Sequence, residues 1–124
     1  MRFSTQADWR QFDDGRIEIY IAETDWRYMA CYLMHELTEI FICQKQGVTG
    51  KMADAFDSTW EEELKQGKWT LEQEPGCDKR CPYFTGHKWG IRMERLFCFL
   101  LGVKWKKYNY DSNKLLNPNY GQKN

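Results

Sequence analysis

The chain has few residues that break regular structure, with three prolines and nine glycines among its 124 residues. Long segments can therefore run uninterrupted, and the few breakers present mark element ends. Net charge is also missing, since 18 Lys plus Arg face 18 Asp plus Glu. That removes the overall electrostatic reason to expect nucleic acid or an anionic membrane as a partner. No stretch reaches the roughly 18 consecutive apolar residues of a membrane span, and Met1 is not followed by a basic and then an apolar region. The expectation is a cytoplasmic chain without a membrane partner. A Gly-rich phosphate loop, a local Ser/His/Asp or Cys/His nucleophile pattern, internal repeats and low-complexity linkers are absent from the sequence. Histidine is scarce, at two residues.

Aromatic residues are plentiful: six Trp, seven Tyr and seven Phe. They supply large apolar area per residue, enough for one core in a chain of one-domain length. The charge balance is uneven, because from Lys104 onward there are five Lys and one Asp. This basic tail, with Trp105, Tyr108 and Tyr110 interspersed, is either a solvated terminus or a place for phosphate contacts. Of five cysteines, Cys31, Cys43 and Cys98 sit in apolar runs and read as free buried thiols of a reducing compartment. Cys77 and Cys81 lie in the loop EPGCDKRCPY, a spacing open to half a zinc site or a loop disulfide, with no second Cys or His pair nearby.

Residues 16–23, RIEIYIAE, alternate Ile17, Ile19 and Ile21 against Glu18, Tyr20 and Ala22, the period of a half-buried strand. Asp13-Asp14-Gly15 forms a turn ahead of it, so a hairpin partner is expected within residues 3–12. Thr24 or Asp25 then offers an N-cap, and no Gly or Pro intervenes before Gly47. This predicts a helix of about 20 residues, roughly 30 Å long, central and covered on all sides. A more exposed helix follows, with Met52, Phe56, Trp60 and Leu64 at helical spacing. The long loop 67–83 precedes a third helix capped by Thr85 and stopped at Gly102. The fold class is α+β: an N-terminal β-hairpin or small sheet packed on a central buried helix and two or three further helices. Residues 1–108 form the domain, and 109–124 an irregular basic tail.

Residues 34–41, MHELTEIF, put a His and two Glu inside an otherwise apolar helix. Uncompensated charge there costs several kcal/mol, so these groups need partners or a metal. His35 and Glu39 are four residues apart, on one helix face, where both can ligate one ion. Glu36 is rotated by about 100° and leans over that site as a general base for hydrolysis. His87, the second histidine, is the leading third ligand. Glu94, seven residues on, shares its face as a fourth ligand or as the group that orients an imidazole. Asp57, with Asp54, competes for the same role. Zinc is the first choice of divalent metal, and the carboxylate ligand also admits manganese or magnesium. The bland alternatives are a buried hydrogen-bonded histidine without metal and a polar stripe facing solvent. Trp26, Arg27 and Tyr28 at the opening of the central helix staple strand to helix, or else Arg27 pairs with a substrate anion or with Asp57.

The order of Trp26-Arg27-Tyr28, His35-Glu36-Leu37-Thr38-Glu39, Asp54-Ala55-Phe56-Asp57, Pro75-Gly76, Pro82-Tyr83, His87 and Glu94-Arg95 resembles a family of small phage and prophage proteins without an established activity. The resemblance covers roughly residues 16–108 and implies that the acidic and His positions belong together. Strand followed by an H-E helix is also similar, over one motif, to zincin metallopeptidases, from which Glu39 departs by replacing the second His. A further likeness, to all-α magnesium-dependent nucleotide pyrophosphohydrolases, is carried by Glu36, Glu39, Asp54 and Asp57. The functional expectation is a metal-dependent hydrolase. The alternatives are a non-enzymatic phage protein that inhibits a host factor and a nucleotide pyrophosphohydrolase.

Overall fold

The computed structural model describes residues 5–120. Strands β1 (Ala7–Gln11) and β2 (Ile17–Ile21) pair antiparallel, with Trp9 opposite Ile19 and Ala7 opposite Ile21. The turn between them closes where Phe12 N–H donates to the Arg16 carbonyl, and Gly15 takes the positive φ of 88° that a side chain resists. The alternating isoleucines and Trp9 therefore share the face that meets the helices.

Helix α1 (Trp26–Gln46) begins at Asp25, whose carboxylate accepts the Arg27 N–H. It ends at Gly47 in the left-handed region, as the sequence predicts. It lies between the hairpin and α3 but is not covered on all sides, since Trp26 is 67% and Phe41 62% exposed. The two apolar residues belong to a stripe facing away from the packed seam. Helix α2 (Gly50–Lys65), capped by Thr49, buries Ala53, Asp57 and Trp60 and leaves Met52 exposed. Its inward face runs through Gly50, Ala53, Asp57 and Trp60, with Gly50 close against Gln11 of β1.

The 67–83 loop contains a short 3-10 turn, Pro75–Cys77. Helix α3 (Phe84–Leu100) starts before Thr85 and has no side-chain cap; its end is marked by Gly102 at φ 71°. Helix α4 (Trp105–Leu116) crosses the expected boundary at residue 108, so residues 109–116 continue a helix. Tyr108 and Ser112, four residues apart, turn inward and give α4 a buried face. The Tyr32 and Ser112 hydroxyls lie 2.6 Å apart, and Tyr28 donates to Asp111, fastening α4 to α1.

Two apolar clusters result. One gathers Trp9, Ile40, Cys43, Ala53, Cys81 and Tyr83. The other gathers Tyr28, Cys31, Tyr32, Cys98 and Tyr108. Between them along α1 lie His35, Glu36 and Glu39, all buried. Among the described residues no helix is long and apolar enough to cross a membrane.

Candidate metal centre

The α1 and α3 helices run antiparallel, and every fourth residue of α1 meets a step of α3. Cys31 meets Cys98, His35 meets Gly90 and Glu94, and Glu39 meets Gly86 and His87. The seam is close because α3 offers glycines to it. A Cβ on Gly90 would stand 2.9 Å from the His35 ring. Two carboxylates and two imidazoles are thereby brought into one buried layer.

Three donor atoms converge there. His35 Nε2 lies 3.2 Å from Glu39 Oε2 and 3.2 Å from His87 Nδ1, and His87 Nδ1 lies 3.3 Å from Glu39 Oε2. The set of His35, Glu39 and His87 has the compactness needed to hold a metal ion. Each of the three has its remaining polar atom held by another side chain. His35 Nδ1 pairs with Glu94, to which the Tyr108 hydroxyl also donates. Glu39 Oε1 accepts the Trp9 indole N–H at 2.9 Å, and His87 Nε2 lies 2.8 Å from Glu74. Such partners fix the rotamer and tautomer of a ligand and raise its basicity.

The electrostatics follow from this packing. Burial opposes a proton on His35, but its hydrogen bonds to Glu39 and Glu94 outweigh burial and lift its pKa to about 10. His87 is raised as well, since its contacts with Cys77, Glu39 and Glu74 outweigh burial. Burial alone would raise Glu39, yet the two imidazoles hold it below the usual carboxylate range. Glu36 moves the other way: burial, then the neighbouring Glu39 carboxylate, push it well above that range. The layer is thus an ion cluster beside a carboxyl group whose protonated form burial favours. A cavity of about 510 Å³ opens over it, walled in part by Glu36, Glu39, His87, Gln6 and Trp105.

The sequence-based candidates therefore separate. His35, Glu39 and His87 come together, and Glu36 borders the same cavity. Glu94 is in the layer but pairs with His35, not with His87 on its own helix, and it stands outside the converging triangle. Asp57 is elsewhere: it is buried on α2 and accepts a 2.5 Å hydrogen bond from Tyr83. Asp54 is exposed on α2, so Glu36, Glu39, Asp54 and Asp57 do not form one acidic site. Arg27 binds back to Asp25 at 3.3 Å, not to Asp57. Cys77 and Cys81 are both free thiols, the first exposed and the second buried.

Trp9 and Glu74 were not among the candidates. A strand Trp reads as core, and a Glu in a long loop carries no periodic signal. The available hint is the length of the 67–83 loop, which brings Glu74 back over the start of α3. No family model, curated protein or solved structure matches the chain.

Proposed function

We propose that the chain binds one divalent metal ion, zinc in the first place, through His35 Nε2, Glu39 Oε2 and His87 Nδ1, and uses it for hydrolysis. One observation carries this reading: the three donor atoms form a near-equilateral triangle with sides of 3.2, 3.2 and 3.3 Å. Ligands at about 2.0–2.1 Å from a tetrahedral ion stand about 3.3 Å apart. Two nitrogens and one carboxylate oxygen suit zinc better than magnesium, with manganese as the second choice. Three protein ligands with a fourth position toward a cavity is the pattern of a catalytic site, not a closed structural one.

An ion there would lower the pKa of a water and polarise a substrate carbonyl or phosphoryl group. Glu36 supplies the base. No side chain among the described residues is hydrogen-bonded to its carboxyl group, and it borders the cavity, so its oxygens are available to a water there. Burial and the neighbouring Glu39 carboxylate raise its pKa, which makes its carboxylate a stronger base toward such a water. Glu94, Glu74 and Trp9 act by holding ligands in position. The five free thiols suit a reducing cytoplasm, the compartment proposed for the chain.

Elemental analysis of protein purified without added metal tests the site. One equivalent of zinc or manganese is expected in the wild type and none in His35→Ala or Glu39→Gln. Absence of metal from the wild type, even after dialysis against zinc, would reject the reading. Glu36→Gln should retain the ion and lose turnover of chromogenic ester, phosphoester or peptide substrates that the wild type hydrolyses. Retention of both would remove Glu36 from the reaction.

A further inference from the structure

His87 has donors on both sides of its ring. Its Nδ1 faces the His35 and Glu39 triangle, while its Nε2 faces a second group made of Glu74 and Cys77. Glu74 Oε2 lies 2.8 Å from Nε2, and the Cys77 Sγ lies 4.0 Å from the same oxygen. One ligand atom from each of Glu74, Cys77 and His87 falls within 4.8 Å of the others. The 3-10 turn Pro75–Cys77 sets this arrangement, and Gly76 lets the turn close over the ring. A Cβ at Gly76 would stand 2.4 Å from His87 Cγ, so no larger residue fits without displacing the loop or the imidazole.

We infer that Glu74, Cys77 and His87 Nε2 form a second cation site, outward of the first and sharing the His87 ring with it. Sulfur, nitrogen and oxygen donors together select a borderline or soft ion, zinc before manganese or magnesium. The site is distinct in accessibility: Glu74 and Cys77 are exposed, while His35 and Glu39 are buried. An ion bound here takes the place of the His87 Nε2 proton that Glu74 otherwise accepts. Coordination releases that proton and the Cys77 thiol proton to solvent, and the thiolate and carboxylate balance the charge of a divalent ion. When both sites are filled the ring has no proton on either nitrogen and bridges the two ions as an imidazolate. The outer ion then also replaces Glu74 as the group that orients His87 toward the inner one.

The inference goes beyond the hydrolase reading and can fail separately from it. Cobalt(II) is the probe, added to the reduced full chain, because a cysteine ligand produces a thiolate-to-cobalt charge-transfer band that His and Glu ligands do not. The wild type should show this band and bind two equivalents. Cys77→Ser, an exposed position, should lose the band and retain one equivalent. Glu39→Gln should retain the band and lose the other equivalent; if that variant fails to fold, the Cys77→Ser comparison decides alone. Absence of the band from the wild type, or its survival in Cys77→Ser, would overturn the outer site. One equivalent bound without the band would leave the inner site standing.

Discussion

At Cys31 and Cys98 the α1–α3 seam is closed by two thiols 3.6 Å apart, at 0% and 1% exposure. One helical turn further along the same seam it holds His35 between Glu39 and Glu94, at 7% exposure. Helix spacing is the same and burial nearly so, yet the consequences differ. The thiols stay protonated, with Cys98 pushed up to about 12 by burial, and behave as small apolar groups. The His/Glu layer can be buried only because every charge in it meets an opposite charge or a donor. A packed layer tolerates substitution; an ionic one depends on each member, and its behaviour follows pH and metal. That difference is where the two layers can be told apart by experiment.

The largest separation is expected from pH. In the metal-free protein, His35 titrates near 10 and the carboxylates around His87 raise it too, so protons compete with an ion for these rings. A divalent ion would displace the proton that His35 holds, and any that His87 holds at the same face. Zinc affinity should then rise with pH by about 10-fold per unit for the His35 proton, and more steeply where His87 also gives one up. The metal-free protein behaves oppositely. His35 has a folded pKa above its unfolded value of about 6.5, so its contribution to stability is complete below that value and is lost as pH rises through about 10. Titration calorimetry in buffers of different ionisation enthalpy checks the proton count. A pH-independent affinity between 6 and 8, on the scale set by ordinary imidazole titration, would count against displacement of these protons.

How much of this was legible beforehand depends on whether the signal is local. The hairpin, α1 and its Gly47 stop follow from alternation, capping and a breaker, all within a few residues. His35 and Glu39 follow from helical spacing, and His87 from being the other histidine. Glu94 was expected either as a fourth ligand or as the group that orients an imidazole, and which imidazole was left open, because helix periodicity says which way a side chain points and not which residue of α1 it will meet; it meets His35. Asp57 carried the same local signal as Glu94; Tyr83, distant in sequence, draws it into the other cluster. A short helix was expected in the C-terminal region, but its place across residue 108 was obscured by Asn109 and Asn113, although Trp105, Tyr108 and Ser112 have helical spacing. Trp9, Glu74 and the glycines that receive the imidazoles are properties of contacts, and no local pattern encodes them.

Smaller effects come from the groups that hold the ligands and from the space that admits them. Tyr108→Phe removes the hydroxyl that donates to Glu94 and should lower zinc affinity by about 10- to 100-fold while preserving stoichiometry. The measurement is a competition titration against a chromophoric chelator, and an affinity equal to wild type would remove Tyr108 from the support of His35. Gly90→Ala tests the space. In an exposed helix interior this change stabilises by about 1 kcal/mol. Here the new methyl would stand 2.9 Å from a ring held through both its nitrogens, so the sign should reverse, with a loss of about 1–3 kcal/mol in chemical denaturation of the metal-free protein. Stabilisation on that substitution would mean that the ring yields easily and that the layer is less fixed than its contacts imply.

The thiol layer should give the smallest response. Cys31→Ala removes one buried sulfur from a contact with Cys98 and leaves neither a charge nor a strong donor without a partner. A loss of about 1 kcal/mol is expected from the small cavity, read by urea denaturation. Zinc stoichiometry and the pH dependence of affinity should be those of the wild type, because Cys31 touches none of the three donor atoms. If Cys31→Ala instead shifts zinc affinity as far as Tyr108→Phe does, the two layers are coupled through the helix pair. The metal centre would then depend on how closely the whole seam packs, and not only on the side chains that surround the ion.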